Sequence, residues 1–383
     1  MVRPDGAGSL LLGGSESELA SQPTWSRDGE RLAWASASAE RQAVVIQEFG
    51  ADGLPDGSAA ISNVAGNPVF YLQWNRNDER LLYIRNSENR GLVEIGTVEP
   101  GAPAVPAGEG APFFVSWAPE SDRIVGHVNE RTIDLYRFDG SGDPGEGFVT
   151  VLDAGGGFSA PAWVDEERVL VVIDGELVYL TVATGETESI TAVPEPIRFV
   201  LSPDRTAVAY RATGVEGGPS LASAPFSQRA EQAGLIVLDL ETGEETLVTN
   251  RAAAAWEWSP DSTKLAWLDV AVAGGRPTGT WGFWSAEDEA AEAPATSATP
   301  AFNLSSKYGR NYLPFFAQYA QSVTGWSPDS SAYAFAGAIG SDGGIWVQLV
   351  DEVVAPRLVT LGDFVTWGPT DVPLPPSAGP SAA

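Results

Sequence analysis

A chain of 383 residues with 43% hydrophobic side chains and thirteen Trp can bury the core of one large all-β domain or two ordinary ones, which excludes a disordered chain. Its 51 acidic residues against 22 basic ones leave a net charge of −29, and such a surface repels phosphate backbones and anionic lipid heads, so nucleic acid and membrane surfaces are set aside as partners. The absence of cysteine excludes disulfides, thiolate metal sites and Cys nucleophiles, and there is no apolar run of roughly eighteen residues that could span a bilayer.

The chain opens on Met-Val-Arg-Pro-Asp-Gly, which lacks the basic-then-apolar pattern of a signal peptide and reads like the interior of a domain behind a trimmed leader or anchor. Next comes "GSLLLGGSESELAS", with the character of an outer strand. From there one pattern recurs: an apolar stretch ending in an aromatic, a polar turn, then a second β-rich run. The copies are "PTWSRDGERLAWAS", "LQWNRNDERLLYIR", "VSWAPESDRIVGHV", "PAWVDEERVLVVID", "FVLSPDRTAVAYRA", "WEWSPDSTKLAWLD" and "TGWSPDSSAYAFAG". They begin near residues 23, 69, 112, 159, 196, 254 and 322, and their aligned positions are Trp25, Trp74, Trp117, Trp163, Leu201, Trp258 and Trp326. A third run such as "GELVYLTVATG" and a short fourth such as "ETESITAV" follow, so each copy reads as a four-strand antiparallel meander. Repetition at this period is the mark of β-propeller blades.

The turn chemistry explains the string. In Ser-Pro-Asp-Ser, Pro presets φ for the second position of a type I turn, and the Ser and Asp side chains bond the turn backbone. The motif is therefore a hairpin corner, and the preceding Trp fills the wedge between neighbouring blades. A residue repeated in every blade serves what every blade needs, so the corner Asp reads as structural rather than catalytic.

These copies resemble the WD40-like PD40 repeats of TolB-like propellers, whose pattern is an aromatic, Ser-Pro-Asp-Gly and a short Leu-Ala-Phe-like strand. The resemblance covers roughly residues 23–367, with departures at "WVDEER", which lacks Ser-Pro, and at Leu201. It implies an all-β propeller of four-stranded blades over residues 1–372 and, since members of that family are commonly secreted or periplasmic, an extracytoplasmic bacterial protein. Seven blades are expected; eight is the alternative, with "FVTWGPTD" and the N-terminal piece sharing the last blade. Residues 373–383, rich in Pro, Ala and Ser, read as a flexible tail.

Function is sought in what departs from the repeat. Repeat five carries "ATGVEGGPSLASAPFSQRAEQAG" between its second and third strands, and repeat six is followed by "SSKYGRNYLPFFAQYAQS". Both loops are expected on one rim. The second offers Tyr308, Arg310, Tyr312, Phe315, Phe316 and Tyr319 as an aromatic and basic recognition patch; the competing reading folds these rings back as core. In "TWGFWSAEDEAAEAPATSATP", Trp281, Phe283 and Trp284 read as third-strand core and the acidic remainder as a solvated loop. Asp139, Ser141 and Asp143 alternate as in a calcium loop, but Pro144 stands where such loops need Gly and the closing Glu is missing, so a polar hairpin turn is preferred and no metal or cofactor is expected.

Enzyme chemistry finds little support. His127 is the only histidine and reads as a packed or rim residue, and no Gly-x-Ser-x-Gly turn is present. The expectation is a non-enzymatic scaffold that binds a protein or glycan partner through the face bearing the long loops of blades five to seven. The alternatives are a carboxylate-based glycan-active enzyme or the accessory propeller of a larger hydrolase, and a structural subunit of an envelope or cell-surface assembly.

Overall fold

The structure is a computed structural model that describes residues 1, 9–12, 18–89, 93–111, 113–129, 132–137, 147–153, 159–193, 198–213, 233–273, 276–286 and 298–368. The acidic stretch 287–297, most of the repeat-five insertion, the calcium candidates Asp139, Ser141 and Asp143, and the tail 373–383 lie outside the described residues.

The chain divides into two compact units. The first takes residues 1–190 together with 321–323 and 368; the second takes 191–320 and 324–367. Among the described residues, the strands form five four-stranded sheets and one seven-stranded sheet, all paired antiparallel between chain neighbours. Sheets at 18–63, 69–110, 114–152 and 162–192 belong to the first unit, apart from the last two residues of the fourth, and sheets at 199–249 and 253–360 to the second. The four-strand meander expected from the repeat is the observed element in each of the first five copies.

The corner string closes as its residues dictate. Backbone N–H groups of Gly29, Arg205, Ser262 and Ser330 bond the carbonyls of Ser26, Ser202, Ser259 and Ser327 at 2.9–3.1 Å, which makes each corner a four-residue turn. In all four, the Ser hydroxyl donates to the corner Asp at 2.6 Å and accepts the N–H five residues after the Ser. The fourth position is left-handed: Gly29 has φ 76°, while Asp78, Arg205, Ser262 and Ser330 adopt 58–65° without the freedom of glycine.

Within each unit, successive corners are also bonded to one another. The Asp78 carboxylate accepts the N–H groups of Arg27 and Asp28, the Glu166 carboxylate accepts the Glu120 N–H and the Ser121 hydroxyl, Ser262 Oγ accepts Asp204 N–H and Ser330 Oγ accepts Asp261 N–H. The motif indoles do the same one layer deeper. Trp74, Trp117, Trp163, Trp258 and Trp326 donate Nε1–H to the carbonyls of Thr24, Gln73, Ser116, Val200 and Glu257, in each case the residue just before the aligned position of the preceding repeat, Leu201 included. Buried Val, Leu, Ile and Ala side chains of adjoining sheets fill the space around these rings, as Ala33, Val44, Leu72, Leu81 and Val98 do around Trp74.

Three local expectations are corrected. The sixth and seventh copies are one seven-stranded sheet rather than two four-stranded ones, because the strand Phe302–Leu304 adds onto Ala332–Ile339, with Asn303 opposite Ala338 and Leu304 opposite Gly337. Gly337 permits the approach, since a Cβ there would lie 2.5 Å from the Phe302 ring. The inner strand of that last copy is correspondingly reduced to a bridge between Trp326 and Tyr333. At the chain ends, residues 10–12 form no strand, although Leu10 exchanges two backbone bonds with Met1, and residues 361–368 form none either, Trp367 N–H meeting the Thr324 carbonyl at 3.1 Å.

Candidate functional site

Residues 305–323, inserted after the strand Phe302–Leu304, hold all six recognition candidates. Ser305 starts the segment by accepting Tyr308 N–H on its hydroxyl, which donates in turn to the Asp363 carbonyl at 2.8 Å. Three short helical turns follow, Tyr308–Tyr312, Leu313–Phe315 and Phe316–Tyr319, with Pro314 near the start of the second.

These turns bury one face. Phe316 is fully enclosed and meets the Trp256 ring edge-on at 4.7 Å. Tyr312 stacks on Tyr308 at 4.7 Å and touches Tyr319 at 5.1 Å, and Trp281 lies 6.4 Å from Tyr308 and 4.7 Å from Tyr333. At the centre of these rings is Glu257, from the strand Ala253–Trp258, only 5% exposed. Its Oε1 accepts the Tyr312 hydroxyl at 2.5 Å, its Oε2 accepts the Gly325 N–H at 2.9 Å, and Tyr333 provides a further hydroxyl. Burial raises the Glu257 pKa, and these three donors act against that rise. Burial, followed by the Glu257 charge, pushes the phenols of Tyr308, Tyr312 and Tyr333 well above their ordinary value. The Tyr308 hydroxyl is enclosed and has no hydrogen-bond partner among the described residues.

The surface patch expected from the sequence is therefore mostly wall. Tyr312, Phe316 and Tyr319 are core residues and offer a partner nothing in this arrangement. The physical reason is Glu257: a buried carboxylate needs donors, and the phenols and the Gly325 amide satisfy it. What the segment presents outward is Arg310, Asn311, Pro314 and Phe315, the last 39% exposed. Lys307 is half-buried, its pKa lowered by that burial and partly restored by Asp363.

The end of the insertion belongs to the first unit, where it engages inner strands. Ser322 O accepts the Thr24 hydroxyl at 2.8 Å, Gln321 O accepts the Gln73 amide at 3.4 Å, and the Gln321 amide donates to Pro161 O at 3.2 Å.

Among the other candidates, His127 is buried and stacked on Phe114. Trp281 and Phe283 are core of the strand Arg276–Ser285, as expected, with Trp284 half-buried. Among the described residues no three His, Asp or Glu side chains gather where they could hold a metal ion, and no helix is long and apolar enough to cross a membrane. Glu257 was not singled out from the sequence. The signal was an acid between two Trp in "AAAAWEWSP", an otherwise apolar inner strand.

Three solved structures illustrate what the chain resembles. It is 12% identical to oligogalacturonate lyase in complex with manganese, with a TM-score of 0.51 over 86% of this chain and 89% of that one. The β-propeller domain of the Trilobed protease from Pyrococcus furiosus is 9% identical, with a TM-score of 0.42 over 91% and 86% of the two chains. TolB from Acinetobacter baumannii is 14% identical, with a TM-score of 0.42 over 87% and 77%. No protein-family model and no curated protein sequence matches the chain. The likeness is one of fold: the chain is an all-β propeller whose described strands form mostly four-stranded antiparallel sheets.

Proposed function

We propose that this propeller is a non-enzymatic scaffold that binds a protein or glycan partner through the outer face of residues 305–320, and that it works outside the cytoplasm. One observation carries the reading. Arg310 and Phe315 stand exposed on a segment whose inner face is fixed by the bonds of Tyr312 and Gly325 to Glu257. A cation and an aromatic ring held on a rigid support lose little conformational entropy on binding, and they are the side-chain types that anchor interfaces. Against a chain of net charge −29, Arg310 also marks this spot as locally receptive to acidic partners.

The test compares the intact chain with the double variant R310A/F315S on a glycan array and in affinity capture from the envelope and secreted fractions of the producing organism. A species retained by the intact chain and lost by the folded double variant supports the reading; equal retention moves the binding surface elsewhere. The same array, assayed for cleavage products, addresses the rival carboxylate-based activity, and turnover by the intact chain would replace the scaffold reading.

A further inference from the structure

The second position of the corner turn is Pro in repeats three, five, six and seven, at Pro119, Pro203, Pro260 and Pro328. In repeats one and two it is Arg, at Arg27 and Arg76. These two corners are tied together by Asp78, which follows Arg76 by two residues and whose carboxylate accepts the N–H groups of Arg27 at 2.9 Å and Asp28 at 3.1 Å. Both Arg27 and Arg76 are exposed on that joined edge.

The same two turns hold a second pair of arginines, and the contrast is informative. Arg31 pairs with Glu48 at 3.2 Å and donates to the Asp78 carbonyl at 2.6 Å, and Arg80 pairs with Glu99 at 2.6 Å. Among the described residues Arg27 and Arg76 have no such partner, in a chain where acids outnumber bases 51 to 22. The nearby acids are engaged: Asp78 by the two backbone amides, and Asp28 Oδ1 by the Ser26 hydroxyl and the Glu30 N–H. Surrounding protein lowers the Arg27 pKa, the Arg76 charge lowers it further, and Asp78 offsets part of that. Two guanidinium groups thus face each other's charge on a protein with acid to spare.

We propose that Arg27 and Arg76 form a binding site for a compact tetrahedral oxyanion, a phosphate or sulfate group. A guanidinium fork takes two oxygens, so two forks engage more oxygens than one carboxylate offers, and a dianion matches their combined charge. The acidic surface repels anions at long range, but at about 0.15 M salt that field is screened beyond roughly 8 Å, and the local pair governs. This site is independent of the reading of residues 305–320.

The experiment is calorimetric titration of the intact chain, near neutral pH and at about 0.15 M sodium chloride, with inorganic phosphate, sulfate, glucose 6-phosphate and acetate. Saturable binding of phosphate or sulfate with one site per chain, and none of acetate, is expected. R76P installs the residue the other repeats use, and R27Q keeps the N–H that Asp78 needs; each should weaken binding by about tenfold or more. R76Q serves if R76P does not fold. R251Q, which removes a charge in the other unit, should leave binding unchanged. Tighter binding of glucose 6-phosphate than of phosphate would identify a phosphoryl ester as the natural ligand, and the reverse a free ion. No saturable heat from the intact chain, or equal affinity in the intact chain and R27Q, overturns the proposal.

Discussion

Glu257→Ala is the most direct probe of the second unit. The change leaves three buried donors, the Gly325 N–H and the hydroxyls of Tyr312 and Tyr333, facing an apolar space. At about 1–3 kcal/mol for each stranded donor the gross penalty is about 3–9 kcal/mol, and relief of the buried charge together with rotation of the two hydroxyls returns part of it. We expect a net loss of about 3–5 kcal/mol. Glu257→Gln keeps an acceptor for Gly325, the phenols can turn to accept from the new amide, and its cost near neutral pH should stay within about 1 kcal/mol. The pH dependence separates the variants further. Because the folded-state pKa is raised, the folded chain holds its proton in a range where the unfolded chain has lost it. The contribution of Glu257 is therefore fully present below the unfolded pKa and is lost as pH rises through the folded one. Urea unfolding followed by Trp fluorescence from pH 4 to pH 8 should show Glu257→Gln gaining on the intact chain as pH rises. A loss under about 1 kcal/mol for Glu257→Ala, or parallel pH curves for Glu257→Gln and the intact chain, would refute the argument.

Phe316→Ala, which empties a fully enclosed position against Trp256, should cost about 3–5 kcal/mol in the same assay, whereas R310A/F315S should shift stability by no more than about 0.5–1 kcal/mol. Asp78→Ala withdraws the acceptor of two neighbouring N–H groups and should destabilise the first unit by about 1–3 kcal/mol, measurable as a lowered urea midpoint at unchanged slope. The corner aspartates act in the opposite pH direction to Glu257. At Asp329 the hydroxyls of Ser327 and Ser331 lower the pKa, and at Asp204 and Asp261 similar bonds outweigh burial. Their contribution is present above the unfolded carboxyl pKa and is lost as pH falls through the folded value, so removing the Ser hydroxyl (S259A/S327A) should flatten the acid limb of a thermal melt series below about pH 4.

The architecture was legible because it is written locally and repeatedly. The corner string specifies its own turn through Pro, Ser and Asp, and the spacing of Trp74, Trp117 and Trp163 announces one junction after another. The candidate site was legible only in part. The insertion after repeat six stood out by length and aromatic content, but which rings face inward depends on Glu257, some fifty residues earlier, and such a pairing has no sequence period. Likewise, the addition of Phe302–Leu304 to Ala332–Ile339 rests on the missing side chain of Gly337, a close approach that propensity does not foretell. Arg27 and Arg76 were visible as substitutions for Pro, yet their proximity emerged only once Asp78 was seen to join the two corners.

The bonding of corners and motif indoles to the repeat before them has a consequence for how such a chain can change over generations. Where a motif indole bridges two copies, donor and acceptor occupy equivalent positions in consecutive copies, as Trp117 with Gln73 and Trp163 with Ser116 do. Duplicating or losing one whole copy therefore presents an indole with a carbonyl in the matching place, while a break inside a copy strands both. Lengthening is tolerated in the connections, where repeats five and six have taken it, and avoided at the corners, none of which is longer than the rest and one of which, between Trp163 and Val169, is a residue shorter. The heritable module of this protein is the seam between two sheets, and the sheet itself is what lies between seams.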